Sequence, residues 1–258
     1  MTRAVATIWT LLGLLLMAPR AGVADPAPVP FGPGERMEYR VSVSILGSPG
    51  KATIQIAGID TVRQHPTYRI QFDLEGGTFF ARVDDTFRSW LDIESLITRR
   101  FEQRQHEVKY KRHRILEFYP AERRWVRSNG PGGGEMITDE PLDEVSFLYF
   151  VRTLPFEIGT TYTFDRYFKP DGNPVILRVL RKEHVKVPAG EFDTIVVQPV
   201  IKTGGLFREG GEAEVYFTDD DRRILVQMSS KVSILGHIKL QLTSYRPGTP
   251  VAAEPELR

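Results

Sequence analysis

Apolar and polar residues alternate along most of the chain, in short runs that are separated by turn residues. The clearest run lies near the C-terminus, where Ile238, Leu240 and Leu242 share one face while Lys239 lies on the other. A period of two is typical of a β-strand with one buried face and one wet face. Similar runs recur from Met37 onward, so the pattern predicts consecutive antiparallel strands in a meander.

The number of these runs predicts the architecture. Roughly a dozen strands in one open flat sheet would leave long exposed edges, so the strands are expected to close into a barrel or fold into a sandwich. No repeat of fixed period indicates a propeller or a solenoid. The charge-rich outward faces and the missing aromatic girdles disfavour an outer-membrane barrel. The predicted fold class is therefore all-β and mainly antiparallel, a meandering β-barrel or half-barrel with one buried helix.

One segment breaks the alternation and predicts that helix, from Glu140 to Leu154. Asp139 or Asp143 can cap its N-terminus, and Pro155 ends it. The segment is apolar on nearly all sides, which is typical of a buried helix. We expect it to fill the end or the open side of the sheet.

The first residues are typical of a signal peptide. Arg3 supplies a positive charge, residues 4–17 form an apolar run, and residues 22–24 are small. We expect export to the periplasm with cleavage after Ala24, although an uncleaved anchor is the alternative and the run is short for a membrane-spanning helix. The predicted organisation is a signal peptide at 1–24, a Pro/Gly-rich leader at 25–34, a single β-barrel-like domain at 35–246 and a disordered tail at 247–258.

Charge and cysteine content exclude several classes of function. The chain has 34 basic and 33 acidic residues, and loss of Arg3 and Arg20 would change the net charge from +1 to −1. The mature chain as a whole is therefore not a polyanion binder, and nucleic acid is not an expected partner. The absence of cysteine excludes disulfides, thiolate metal sites and a lipid-anchored N-terminal cysteine. No transmembrane segment is expected in the mature chain.

Two strand residues and two helix residues are candidates for an interior ligand site. In the predicted strand 81–92, Asp85 and Ser89 fall on the apolar face and are expected to point inward. A buried carboxylate needs a partner, so Asp85 is either a salt-bridged structural residue or a polar anchor in a ligand cavity. Tyr149 and Arg152 share one face of the predicted helix and complete the set.

A second candidate surface is the basic stretch from Arg99 to Arg127, where ten Lys and Arg residues are interleaved with aromatic ones. One interpretation is a solvated sheet face whose charges prevent edge-to-edge aggregation. The other is a face for an anionic envelope partner, such as a lipid phosphate, an acidic glycan or an envelope protein. The candidate residues of this basic face are Arg104, Lys109, Lys111, Arg112 and Arg114.

The sequence motifs of catalysis and metal binding are missing. There is no Gly-x-Ser-x-Gly elbow, His-Glu-x-x-His pair or phosphate-binding Gly-Lys-Ser/Thr loop. The acidic run 219–221 lacks the spacing of a calcium loop and predicts a hairpin turn. Glu212 and Glu214 lie two apart on one strand face, which predicts a wet face. No catalytic, metal-binding or cofactor-binding residue is assigned, and no cofactor is expected.

Several segments carry a family resemblance. They are FGPGERMEYRVS, VDDTFRSWLD, LDEVSFLYFVRTLPFEIGTTY, VPAGEFDTIVVQP and EAEVYFTDDDRRILVQMSSKVSILGHIKLQLTSY. Together they resemble the domain of unknown function 3108 family of exported bacterial proteins, over about Phe31 to Tyr245. The resemblance implies a single periplasmic β-rich domain that is barrel-like. It implies no activity, and no functional residue is carried over.

Three functions remain open at this point. The leading hypothesis is an exported, non-enzymatic periplasmic protein that binds an apolar or amphiphilic envelope molecule, such as a lipid or acyl chain, in the barrel interior. The alternative is a structural or scaffolding envelope protein with a packed core and no ligand. The third is a carboxylate-dependent envelope hydrolase, which would need opposed carboxylates with shifted pKa values in a cleft.

Overall fold

The computed structural model describes residues 29–43, 50–78, 81–107, 110–201, 213–232 and 236–251. The predicted signal peptide, its cleavage after Ala24 and residues 252–258 of the predicted tail lie outside the described residues.

The all-β prediction is confirmed, since the described residues form fourteen strands and one α-helix. The strands are β1 (Arg36–Val43), β2 (Gly50–Val62), β3 (His65–Thr78), β4 (Ala81–Asp92), β5 (Thr98–Glu107), β6 (Tyr110–Tyr119), β7 (Arg124–Arg127), β8 (Gly133–Glu135), β9 (Thr161–Phe164), β10 (Val175–Val187), β11 (Gly190–Val200), β12 (Glu214–Thr218), β13 (Leu225–Val232) and β14 (Gly236–Arg246). The helix α1 (Glu144–Val151) lies between β8 and β9.

All fourteen strands form one sheet, in the order β8-β7-β6-β5-β4-β3-β2-β1-β14-β13-β12-β11-β10-β9. The first and last strands therefore meet in the middle of the sheet, where Met37 pairs with Tyr245 and Val41 with Leu240. Strands β8 and β9 form the two edges, so within the described residues the sheet is open. This arrangement agrees with the predicted half-barrel.

The two ends of the strands differ. Connections alternate between the ends of an antiparallel meander, so the connections 63–64, 93–97 and 219–224 all lie at one end. Helix α1 also lies there, because the Arg152 side chain donates to the backbone oxygen of Arg222. We call this the helix end. The far end is the opposite one, where β1, β3 and β5 finish.

Aromatic side chains fill the inward face at the helix end. Tyr68, Phe101 and Phe118 are 0–1% exposed. The Phe31 ring meets the edges of Tyr68 and Tyr149 at centroid distances of 5.6 and 5.0 Å. Aromatic pairs of this geometry stabilise a protein beyond the burial of their apolar area. The contacts of Phe31 therefore hold α1 against the sheet.

Phe168 packs between the two edges of the sheet. It follows β9 in the chain, yet its ring contacts Phe118 of β6 and Trp125 of β7 at centroid distances of 5.3 and 5.8 Å. A parallel bridge between Leu142 and Tyr167 runs beside it. The open side of the half-barrel is thus packed at this point.

Helix α1 is shorter than predicted, and the prediction was wrong at its N-terminus. The helix begins at Glu144 rather than Glu140, with Asp143 as the N-cap. The residues before the helix bond to the sheet instead, because the Pro141 carbonyl accepts the Thr98 N–H at 2.7 Å. Of the two predicted N-caps, Asp139 and Asp143, the structure has Asp143. The predicted burial of the helix is confirmed.

The ends of the described chain lie against each other. Phe31 is 1% exposed, and the Thr249 N–H donates to the Pro33 carbonyl at 3.0 Å. A Cβ atom on Gly32 would lie 2.0 Å from the Thr249 carbonyl oxygen. These residues, which the sequence placed in the leader and the tail, contact the sheet here.

Among the described residues, no helix is long and apolar enough to cross a membrane.

Candidate functional site

The inward face of the sheet changes from the helix end to the far end. Toward the far end, the apolar side chains of Leu74, Phe87 and Ile238 are only half-buried. The Phe87 ring stacks between Phe72 and Phe101, with centroid distances of 6.0 and 6.4 Å. This aromatic ladder crosses β3, β4 and β5 and gives the far end an apolar floor.

Polar side chains continue the same row. Phe87 of β4 pairs with Gln103 of β5, and Gln103 pairs with Arg114 of β6. Arg114 lies on the inward face because it alternates with Leu116 and Phe118, which are buried in the core. The half-buried Arg114 is thus two strands, or about 10 Å, from Phe87.

The Nε atom of Arg114 is buried and has no hydrogen-bond partner among the described residues. Outward-facing arginines nearby are paired, since Arg88 and Arg104 both bond to Glu102, at 3.1 and 2.6 Å. A buried polar group without a partner carries a free-energy cost, and this one faces the same side as the apolar floor.

Asp85 points inward, as its strand pattern predicts, and is 5% exposed. Its Oδ1 accepts the backbone N–H of His106 at 2.9 Å, and its Oδ2 accepts the Gln105 side chain at 3.4 Å. The carboxylate thereby joins β4 to β5 at the far end. Its described partners are a backbone amide and a neutral side chain.

Ser89 lies deeper, at the N-terminus of α1. Its hydroxyl donates to Asp143 Oδ2 at 2.5 Å, and the Thr98 hydroxyl donates to the same oxygen at 3.0 Å. Asp143 Oδ1 accepts the N–H groups of Val145 and Ser146 at 2.8 and 3.1 Å. The Asp143 carboxylate is therefore an N-cap that also joins the helix to β4 and β5.

Burial raises the pKa of Asp143 to about 6, and the charge of Glu144 adds to the rise, whereas the Ser89 hydrogen bond opposes it. A carboxyl group with such a pKa is also found in general acids. The role of Asp143 as a helix cap accounts for its raised pKa, because the carboxylate is fully buried and its described partners are hydroxyls and backbone amides.

Tyr149 and Arg152 belong to another cluster, at the C-terminus of α1. The Arg152 guanidinium forms a two-pronged ion pair with Glu35, at 2.7 and 2.8 Å, and both side chains are at most 2% exposed. It also lies 5.2 Å from the ring centroid of Phe31 and 5.1 Å from that of Tyr149. The pair connects the helix to the residue before β1.

The buried ion pair also changes the pKa values of Arg152 and of the neighbouring Tyr149. Burial lowers the pKa of Arg152, but the Glu35 charge and hydrogen bond outweigh it, and the pKa is raised overall. Burial and the negative charge of Glu35 raise the pKa of Tyr149 well above its usual value. The Tyr149 hydroxyl makes no hydrogen bond within the described ranges.

The predicted basic face is divided between the two sides of the sheet. Arg104 and Lys111 point outward and are exposed, whereas Arg112 and Arg114 fall on the inward face and are half-buried. Lys109 lies outside the described residues. The single basic surface that the composition suggested is therefore two surfaces.

The outward surface carries its own carboxylates. Glu102 bonds to Arg88, Arg104 and His113, and Glu117 bonds to Arg63 and Arg100. Burial acts to raise the pKa of Glu102, but the hydrogen bonds from Arg104, His113 and Arg88 outweigh it and lower the pKa. The outward arginines thus share two carboxylates, whereas the inward Arg114 Nε has no acceptor among the described residues.

A groove of about 540 Å³ lies along strands β1 to β3, with Arg40, Lys51, Asp73 and Glu75 among its lining residues. Because basic and acidic side chains both line this groove, its charge favours neither anionic nor cationic ligands. No group of His, Cys, Asp and Glu with the arrangement of a metal site occurs in the part of the chain that the structure describes.

The structure brings together only some of the predicted site residues. Ser89 and Asp85 share the inward face of β4 but bond to different partners, and Tyr149 and Arg152 form a separate cluster. Sequence reasoning missed Glu35, although one arginine in an apolar helix calls for a carboxylate. It also missed the inward direction of Arg114, which the alternation with Leu116 and Phe118 indicates.

Comparison with solved structures shows a likeness of fold. The chain is similar to a β-barrel-like protein of the domain of unknown function DUF1849 from Brucella abortus, with a TM-score of 0.53 and 8% sequence identity. The match covers 83% of this chain and 97% of that chain.

No curated protein matches the sequence. The model of the DUF3108 family, described as a protein of unknown function, matches residues 38–243. These residues span the sheet from β1 to β14 and include α1, so the chain belongs to the DUF3108 family.

Proposed function

We propose that this protein is exported to the periplasm and binds an amphiphilic envelope molecule, such as a lipid or acyl chain, on the inward face of its half-barrel. The observation that carries the proposal is the change along that face. Near the helix end the inward side chains are buried against α1, whereas Leu74, Phe87 and Ile238 toward the far end remain half-buried.

An apolar floor of this kind suits an alkyl chain. The half-buried Phe87 stacks on Phe72 and Phe101, which are 8% and 0% exposed, and it lies on the same face as the half-buried Leu74 and Ile238. Covering these half-buried side chains is favourable by roughly 25 cal/mol for each Å² of apolar surface removed from water. The neighbouring Gln103 and Arg114 supply the polar groups that a ligand site places beside an apolar floor.

Native mass spectrometry tests the proposal on protein purified from the bacterial periplasm. We expect an N-terminus at Asp25 and a lipid adduct that organic solvent removes. The stripped protein should then bind a dansyl-labelled undecanoic acid.

A matched pair of variants locates the site. Phe87→Gln should weaken binding of the dansyl probe about tenfold, whereas Ile59→Gln, at an isoleucine that is already 46% exposed, should leave it unchanged. A wild-type protein that carries no lipid and does not bind the probe would overturn the proposal and favour the packed scaffold.

A further inference from the structure

We propose that the amphiphile is an anion, and that Arg114 holds its phosphate or carboxylate head group at the far end of the inward face. This inference rests on the proposed function, because it concerns the head group of the molecule whose chain covers the aromatic ladder. It gives a ligand oxygen as the partner of the buried Arg114 Nε, which has no hydrogen-bond acceptor among the described residues.

The placement of Arg114 fits a head group. It lies in the cross-strand row Phe72–Phe87–Gln103–Arg114, in which the first two side chains are apolar and the last two polar. A molecule lying along this row would meet aromatic rings at one end and a guanidinium at the other.

Three carboxylates of this region whose side chains the structure describes are already engaged. Glu102 and Glu117 point outward and bond to arginines there, and the inward Asp85 accepts the His106 N–H and the Gln105 amide. The Arg114 Nε is buried and has no acceptor among the described residues. An anionic oxygen at this place would supply the missing acceptor and balance the charge in one contact.

The half-buried position strengthens the selection. A guanidinium in contact with apolar side chains is less screened by water than one on the outward face, so its attraction for an anion is greater. A neutral head group can accept a hydrogen bond here but gains no charge attraction, and a cationic head group is repelled. The site should therefore discriminate by charge among molecules that have the same alkyl chain.

Titration calorimetry with three ligands of one chain length tests this selection. They are dodecyl phosphate, dodecyl maltoside and dodecyltrimethylammonium, each used below its micellar concentration with protein stripped of lipid. We expect dodecyl phosphate to bind at least tenfold more tightly than the other two, and its affinity to fall as salt is added.

Arg114→Gln should reduce the affinity for dodecyl phosphate about tenfold and leave dodecyl maltoside unchanged. The matched control is Arg104→Gln, one strand away on the outward face, where the side chain is 57% exposed and paired with Glu102; it should change neither affinity by more than twofold. The thermal midpoint of Arg114→Gln should not fall, because no described contact is lost.

The outcomes separate the two proposals. Equal binding of all three ligands, or equal effects of Arg114→Gln and Arg104→Gln, would overturn the anion assignment and leave an amphiphile site. If inorganic phosphate binds as tightly as dodecyl phosphate, the alkyl chain contributes nothing. The result would then indicate a site for a free anion and overturn the assignment to an amphiphile. Failure of every dodecyl compound to bind would overturn the proposed function itself.

Discussion

At the scale of single residues, Asp143 couples the start of α1 to the sheet. It accepts two backbone N–H groups and two hydroxyl groups while it is fully buried. Burial is the largest influence and raises its pKa from 3.8 to about 6. Well below pH 3.8 the group is protonated in the folded and the unfolded chain, so no penalty arises there. As the pH rises toward 6, the unfolded chain ionises first, and the folded state loses stability.

Replacing Asp143 by Asn should remove this loss. The amide oxygen can still cap the helix, and the side chain no longer ionises. The free energy of unfolding of Asp143→Asn minus that of the wild type should rise by about 2.5 kcal/mol between pH 4 and pH 7, which is most of the amount that a shift of about two pKa units represents. Urea unfolding at several pH values measures it.

Asp92→Asn provides the control for this pH profile. Burial acts to raise the pKa of Asp92, but hydrogen bonds from Ser95 and Arg99 outweigh it and lower the pKa below its ordinary 3.8. Its difference curve should therefore be nearly flat above pH 5. A flat curve for Asp143→Asn over the whole range would contradict the raised pKa.

The same residue scale shows what the sequence reveals about the site. The period of two places Asp85 and Ser89 inward, and both are buried. Applied to β6, the same rule places Arg114 inward with Leu116, but the many basic residues of this stretch suggested one solvated face. Partners such as Glu35 for Arg152 come from 117 positions away, and no local pattern contains them.

At the scale of elements, the Arg152–Glu35 ion pair fastens α1 to the segment that leads into β1. Its two hydrogen bonds of 2.7 and 2.8 Å lie under Phe31, away from water. A buried ion pair stabilises the fold little more than apolar side chains of similar size would. Removing one partner, however, leaves an unpaired buried charge. The pair should therefore act as a unit.

A double-mutant cycle tests this coupling. Glu35→Gln and Arg152→Met should each lower the free energy of unfolding by about 3–5 kcal/mol. The double variant should lose clearly less than the sum of the two. The exposed pair Lys186–Glu191, at 2.8 Å, is the comparison, and its coupling should be far weaker than that of the buried pair because water screens it. Additive losses at Glu35 and Arg152 would contradict the prediction.

The elements also show where sequence patterns stop being sufficient. Alternation predicted the strands, because each strand buries one face. The helix start was misplaced, because residues 141–142 bond to β5 and to the segment after β9, and these contacts override local helix preference. Strand order depends on pairings between distant strands, which periodicity does not encode.

At the scale of the whole molecule, the two ends of the described chain cross at the helix end. Gly248 and Gly32 approach so closely that a Cβ atom on Gly248 would lie 2.1 Å from the Gly32 carbonyl oxygen. The Thr249 N–H and the Pro33 carbonyl are bonded beside them. Only residues without side chains allow these two backbones to meet.

Gly32→Ala should therefore destabilise the protein by about 2 kcal/mol or more, because its methyl group meets the Thr249 backbone. Gly34→Ala is the comparison. Gly34 has a φ of +88° and open space around its Cβ position, so only the conformational cost of about 1 kcal/mol applies. Thermal unfolding measures both, and hydrogen exchange at the Thr249 amide should accelerate only in Gly32→Ala. Equal losses would contradict the clash.

The meeting of β1 and β14 in the middle of the sheet has a consequence for how the chain assembles. Strands β2 to β8 and β9 to β14 each form a meander of sequential neighbours, and only the β1–β14 seam joins residues from opposite ends of the sequence. The seam cannot close until the last strand has been synthesised. A circular permutant that starts before β9 and ends after β8 would turn the seam into one more local hairpin. The strand order of the sheet would then simply follow the sequence, with a lower contact order and faster folding.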